Sequence, residues 1–173
     1  MEENQPKIGK FSWTWGIILG LAGIVFSLML YFAEMHYEQS WTIRIISILL
    51  ILGAVIIATS QYKKANSGLL SMSEALKLGA GIGLVGGIIG MAFYGLLTNV
   101  IEPDFMDKAM AIAKIDAVAK NPNMTDEQWA QGVEMQKKFA WLAYPIGIII
   151  NVVMGLVIGL ITGLIMKKQK NTI

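Results

Sequence analysis

The chain has 173 residues, of which 55% are hydrophobic and 15% are charged, and its mean hydropathy is +0.58. An ordinary soluble domain carries roughly 25% charged residues, so a water-soluble fold of this size would struggle to bury so much apolar surface. The sequence has no cysteine, which excludes disulfides, thiolate metal sites and cysteine nucleophiles, and its formal net charge of +2 gives no indication of nucleic-acid binding.

Four apolar segments have about the length that a transmembrane helix needs, which is about 20 residues for a hydrocarbon core about 30 Å thick. The sequence therefore predicts a single all-α domain, an integral membrane four-helix bundle. The predicted spans are residues 13–33, 41–60, 78–98 and 141–166, and residues 99–138 form a predicted helical hairpin outside the membrane, which we call the insert. Tryptophans stand at span ends, where indole rings favour the headgroup region: Trp13, Trp15, Trp41 and Trp141.

The second span is the least regular, because it reaches full length only if Arg44 snorkels to the interface. The fourth span is longer than a bilayer requires, and Pro145 near its outer end predicts a bend or a tilt. The loops differ in charge: the connector after the first span, AEMHYEQS, has no basic residue. Lysines flank the spans on the side that holds both termini: Lys63, Lys64, Lys167 and Lys168. The positive-inside rule therefore predicts cytoplasmic termini.

Glycines dominate the third span. The stretch Gly81-Ile-Gly83-Leu-Val-Gly86 matches a dinucleotide-binding fingerprint, but it lies inside an apolar run with no strand signal before it, so we expect no cofactor there. Small residues recur every four positions, which predicts helix packing through close backbone approach. The predicted packing positions are Gly16, Gly20, Gly79, Gly83, Gly87, Gly155, Gly159 and Gly163. Intramolecular packing is the favoured interpretation, and a homo-oligomer interface and a glycine-lined pore are the alternatives.

Asn151 is the strongly polar residue near the middle of the fourth span. We interpret it as the donor of an interhelical hydrogen bond, with a substrate or ion contact as the alternative. Aspartate, glutamate, lysine and histidine are absent from the deep part of every predicted span, which argues against coupled transport and catalysis.

The loops offer few groups for chemistry. Glu34, His36 and Glu38 are metal-ligand types, but a polar connector between antiparallel helices has the same composition, so no metal site is predicted. Ser71-x-x-Glu74 and Thr125-x-x-Gln128 predict capping boxes at helix starts. In the insert, an apolar stripe at helical spacing must be covered by the bundle, by the lipid interface or by a partner protein. Its members are Phe105, Met106, Ala109, Met110 and Ala113.

The chain resembles an uncharacterised family, a domain of unknown function found in small bacterial membrane proteins with four predicted helices. The resemblance rests on Gly68-Leu-Leu-Ser71-Met-Ser-Glu74-Ala-Leu-Lys77-Leu-Gly79, after a charged turn, and on Ile101-Glu-Pro103-Asp104-Phe105, after the third span. It extends over nearly the whole chain. It implies the same four-span architecture and a bacterial inner membrane, and it supplies no catalytic residues.

No H-E-x-x-H, G-x-S-x-G or acidic metal-binding motif is present, so we expect neither an enzyme nor catalytic, cofactor-binding or metal-binding residues. The expected function is a structural or interaction component of a bacterial inner membrane. Its expected partners are membrane lipid and a second copy or another membrane protein, with no nucleic acid. The alternative is a small channel or transporter lined by the glycine-rich third and fourth spans.

Overall fold

The computed structural model describes residues 6–37 and 40–168. Within these ranges the chain forms six α-helices in the order α1 (Ile8–Phe32), α2 (Trp41–Ala65), α3 (Met72–Leu96), α4 (Phe105–Lys120), α5 (Asp126–Lys138) and α6 (Ala143–Met166). A π-helical turn, Leu97–Ile101, extends α3, and a 3₁₀ turn, Ala140–Leu142, precedes α6. The all-α prediction is therefore confirmed.

Four of these helices, α1, α2, α3 with its π turn, and α6 with its 3₁₀ turn, are long and apolar enough to cross a membrane. Their outward faces carry large apolar side chains that are more than three-quarters exposed, such as Phe32, Trp41 and Ile165. Such surfaces are unfavourable in water and favourable in lipid. The prediction of an integral membrane four-helix bundle is therefore confirmed.

α3 is the central helix of the bundle. It packs most extensively against α6 and then against α1, while α2 lies against α1, α6 and α3. Val55, Ala58 and Ile82 are fully buried between α2, α3 and α6. A second buried group, which includes Tyr62 and Leu78, lies where α2 ends and α3 begins. Both buried groups thus include residues of α3.

The glycines of α3 and α6 face each other at backbone contact. A Cβ atom built on Gly79 would overlap the carbonyl group of Gly155, and one built on Gly83 would overlap the carbonyl group of Asn151. One built on Gly159 would lie 2.7 Å from a carbonyl oxygen of α3. Real Cβ atoms essentially never approach a neighbour within 3.0 Å, so any side chain at these positions would push the two helices apart.

The other glycines singled out in the sequence face side chains. The added Cβ would lie 2.5 Å from Val85 at Gly16, 2.7 Å from Ile89 at Gly20, 3.0 Å from Asn151 at Gly87 and 2.8 Å from Met72 at Gly163. Side chains shift more readily than a backbone carbonyl. The centre of the α3–α6 interface is therefore the part of the bundle that tolerates an added side chain least.

The predicted capping boxes are both confirmed. The hydroxyl of Ser71 accepts from the amide of Glu74 at 3.2 Å, and the Glu74 carboxylate accepts from the Ser71 amide at 2.6 Å. Thr125 and Gln128 make the same reciprocal pair at the start of α5. At the start of α6, Pro145 lies in the first turn, where the missing amide hydrogen has no helical acceptor to lose.

Candidate functional site

A buried carboxylate lies at the end of α3, where the chain leaves the bundle. The last turn is π-helical, and the amide of Glu102 donates to the carbonyl oxygen of Leu97 at 2.8 Å. Glu102 precedes Pro103, and a proline ring disfavours helical conformation in the residue before it, so the helix ends here. The side chain of Glu102 is only 10% exposed. π-helical turns are frequent at functional sites.

Three donors surround this carboxylate. Nε2 of His36 is 2.8 Å from Oε2 of Glu102, and Nζ of Lys108 is 2.8 Å from Oε1. The hydroxyl of Tyr37 also donates to Oε1. We call His36, Tyr37, Glu102 and Lys108 the Glu102 cluster. It joins the α1–α2 loop, the end of α3 and the first turn of α4 into one hydrogen-bonded group.

The charge state of the cluster follows from these contacts. The hydrogen bonds from Lys108 and Tyr37, together with the one from His36, lower the pKa of Glu102 to about 2. Glu102 is therefore ionised at neutral pH and only accepts, so Nε2 of His36 must carry the donated hydrogen. The carboxylate in turn raises the pKa of the Lys108 ammonium group. Burial and the neighbouring Glu102 raise the pKa of the Tyr37 phenol.

Aromatic rings enclose the cluster. The ring centroids of Tyr37 and Phe105 are 5.3 Å apart in a stacked arrangement, and those of His36 and Tyr37 are 3.9 Å apart. Tyr31 contacts His36 at 5.1 Å, and Tyr94 contacts Phe105 edge-on at 6.1 Å. Beside these rings the side chains of His36 and Glu102 are only 7% and 10% exposed, whereas that of Lys108 is 50% exposed. The cluster thus links the start of α4 to the bundle through Lys108 and Phe105.

A cavity of about 1120 Å³ opens beside the cluster, between α4, α5 and the ends of the long helices. All five members of the apolar stripe found in the insert line it: Phe105, Met106, Ala109, Met110 and Ala113. His36, Arg44 and Lys120 add polar groups to its wall. Cavities for small molecules usually measure about 300–1,000 Å³ and enclose the ligand. The volume of this open space lies slightly above that range.

α4 and α5 flank this cavity as an antiparallel pair. Nζ of Lys114 is 2.7 Å from Oδ1 of Asp126, and Nζ of Lys137 is 2.7 Å from Oδ1 of Asp107. The contact with Lys114 lowers the pKa of Asp126. These two ion pairs join α4 and α5 in antiparallel order, and exposed pairs of this kind contribute little to stability.

The insert also exposes apolar side chains. Ile112, Ile115 and Val118 follow one another at three-residue spacing along α4 and are 44%, 72% and 41% exposed. Met110, by contrast, is buried. The bundle thus covers only part of the apolar surface of α4.

A comparison with protein families identifies the relationship. A family model described as "Protein of unknown function (DUF4199)" matches residues 14–168, which is most of the chain. The chain belongs to the DUF4199 family. The expected membership in a family of unknown function is therefore confirmed. No curated protein and no solved structure matches this DUF4199 chain.

The two segments that carried the resemblance lie at opposite ends of the DUF4199 bundle. Residues 68–79 contain Glu74, whose Oε1 accepts from the hydroxyl of Tyr62 at 2.7 Å, in addition to the capping box. Residues 101–105 contain Glu102 and Phe105. Each segment thus supplies a carboxylate that accepts a hydrogen bond from another element: Glu74 from Tyr62 on α2, and Glu102 from His36 in the α1–α2 loop.

Asn151 lies on the face of α6 that packs against α3. Its Nδ2 donates to the carbonyl oxygen of Gly147, one turn earlier in α6, at 2.9 Å. The hydrogen bond therefore lies within α6, not between helices as the sequence analysis expected. The reason is that Asn151 packs against Gly87, and a glycine offers no side chain as a partner.

The three loop residues considered as metal ligands have different placements. His36 donates to Glu102, Glu34 occupies a turn with φ of 57°, and Glu38 lies outside the described residues. Within residues 6–37 and 40–168, no set of three or more histidine, aspartate or glutamate side chains is arranged to hold a metal ion. The role of His36 in the described part of the chain is to bind Glu102.

Thermal unfolding in detergent should depend on acidic pH through Glu102. Its pKa of about 2 lies below the ordinary 4.5, so its contribution to stability is present above about pH 5 and is lost as the pH falls toward 2. We expect the Tm of the wild-type protein to be constant from about pH 7 to 5 and to fall below that range. Glu102→Gln should have a lower Tm at neutral pH and a smaller acid-induced fall. Equal acid-induced falls in both proteins would contradict this assignment.

Proposed function

We propose that this DUF4199 protein is a structural or interaction component of a bacterial inner membrane and not an enzyme. The observation that carries the proposal is the insert, which the Glu102 cluster links to the bundle and in which Ile115 is 72% exposed, while other residues of α4, Ile112 among them, line a large open cavity. Exposed apolar patches bordered by polar residues mark interaction surfaces. In this proposal the insert lies outside the bilayer, and its apolar surface binds another membrane protein or a second copy.

The orientation in the proposal places both termini in the cytoplasm and the insert on the outer side. Nζ of Lys63, at the end of α2, donates to the carbonyl oxygen of Met166, at the end of α6, at 2.7 Å, so these ends lie together. Lys64, Lys167 and the neighbouring lysines concentrate positive charge there. The positive-inside rule supports a cytoplasmic position for such an end.

A non-enzymatic role is supported by the chemistry of the Glu102 cluster. A general base works best when its pKa is near the working pH, and Glu102 has a pKa of about 2. Its oxygens already accept from three side chains. Such a carboxylate is suited to holding elements together.

A channel or transporter lined by the glycine-rich α3 and α6 receives less support. The faces that would line the path meet at backbone contact at Gly79 and Gly83. The amide of Asn151 bonds within its own helix. These contacts favour packing as the role of both features.

Site-specific photo-crosslinking in native membranes tests the proposal. A photoreactive residue at Ile115 should give one discrete protein adduct, whereas one at Ile165, which is 79% exposed on α6, should react mainly with lipid. Adding Ile112→Lys beside the probe should abolish the protein adduct, because it places a charge in the apolar patch. Lipid adducts alone at both positions would contradict an interaction surface on the insert.

A further inference from the structure

A groove on the outer side of α1 and α3 has the features of a lipid site. It has a volume of about 380 Å³ and is lined by Gly9 and Trp13 on α1 and by Lys77, Leu84 and Ile88 on α3, among others. We propose that this groove binds one acyl chain of an anionic phospholipid, with the head group at Lys77. This site lies away from the insert, so it goes beyond the proposed function and does not depend on it.

The length of the groove matches one leaflet of a bilayer. Residues 77–88 of α3 extend for about 17 Å at 1.5 Å per residue. The hydrocarbon core is about 30 Å thick, so one leaflet is about 15 Å thick. The groove can therefore accommodate a single acyl chain from the interface to the bilayer centre.

Small residues create the groove. A Cβ atom built on Gly9 would have no other atom within 4 Å, so the space beside this residue is open. Directly next to it, α1 and α3 approach closely, since a Cβ on Gly81 would lie 2.5 Å from Oγ of Ser12. Leu84 and Ile88 are 44% and 50% exposed along the outer wall. The groove is therefore apolar and open on the outer side of the bundle.

Charge at one end of the groove selects the head group. Lys77 lines the groove and is exposed at that end, and two further exposed lysines are at the start of α1: Lys7 is its N-cap and Lys10 is in its first turn. Glu74, one turn before Lys77, is a carboxylate that interacts with the charge of Lys77, but the three lysines outnumber it at this end. Basic residues near a membrane surface attract anionic lipids. The positive end thus favours a phosphate head group that carries a net negative charge.

Native mass spectrometry of the delipidated full-length protein tests the site. The protein is titrated with phosphatidylglycerol and with phosphatidylethanolamine of identical acyl chains. We expect phosphatidylglycerol to bind about fivefold more tightly, and Lys77→Gln to remove that difference, in line with the attraction of one lysine for an anionic surface. Lys77→Arg should retain it. Lys64→Gln, an exposed lysine at the same end of the bundle, serves as the charge control and should bind as the wild type does.

Filling the groove provides the second arm of the experiment. Gly9→Leu should weaken binding of both lipids, and the open space at Gly9 lets the protein fold with the larger side chain. Gly23→Leu is the matched control, because Gly23 also lies on α1, has open space around it and does not line the groove. Equal affinity for the two lipids, or unchanged binding by Gly9→Leu, would overturn the proposal. So would a dimer that Gly9→Leu dissociates, since it would assign the groove to a second copy.

Discussion

Replacing Gly79 or Gly83 by alanine should lower the free energy of unfolding by about 1–3 kcal/mol, the usual penalty for overpacking a core. This expected loss of stability is opposite in sign to the usual effect, because replacing glycine by alanine inside a helix ordinarily stabilises a protein by about 0.5–1 kcal/mol. At these two positions the added methyl group would overlap the carbonyl group of Gly155 or Asn151. Relief of the overlap requires α3 and α6 to separate, which weakens packing along the whole interface.

Gly90 gives the matched control on the same helix. A Cβ built there meets no atom within 4 Å, so Gly90→Ala should leave stability unchanged or raise it. Unfolding monitored by circular dichroism in one detergent compares the three variants with the wild type. Equal stability of Gly79→Ala and Gly90→Ala would show that the α3–α6 face does not need glycine.

Glu102→Ala should lower the free energy of unfolding by about 2–4 kcal/mol, because it removes the common acceptor of three side chains. Lys108 is half exposed and can turn to water, but the side chain of His36 is only 7% exposed and loses its partner. The loss should also loosen the insert. Amide hydrogen exchange in α4 should therefore accelerate more than exchange in α6.

Glu134→Ala is the control for this substitution, since Glu134 is an exposed carboxylate on α5. It should leave both the Tm and the exchange of α4 unchanged. If Glu102→Ala behaved like Glu134→Ala in both measurements, the Glu102 cluster would not anchor the insert.

The four long helices could be predicted from the sequence because a bilayer fixes both the length and the polarity of a spanning helix. The helices themselves extend further: α1 begins at Ile8 and α3 at Met72, before the apolar segments predicted as spans. A helix can begin outside the hydrocarbon core, because its first residue is determined by a capping residue such as Ser71. The capping-box motif located that start directly.

The Glu102 cluster could not be predicted in the same way. His36 and Glu102 are 66 residues apart in the chain, and no local pattern determines which loop meets the end of α3. In the sequence, Glu102 stood out only as part of the segment Ile101-Glu-Pro103-Asp104-Phe105 that follows the third span. A carboxylate placed directly between an apolar segment and a proline was the available signal. The cavity was beyond prediction as well, because it depends on the angle that α4 and α5 adopt.

Cysteine accessibility tests most directly the central claim that the insert and the termini lie on opposite sides of the membrane. The natural chain has no cysteine, so single substitutions at two exposed positions are clean reporters: Asn123 in the α4–α5 loop and Ala65 at the end of α2. In cells with a permeabilised outer membrane, Asn123→Cys should react with a membrane-impermeant maleimide, and Ala65→Cys should react only once the inner membrane is opened. Reaction of both cysteines at the same step would contradict the account.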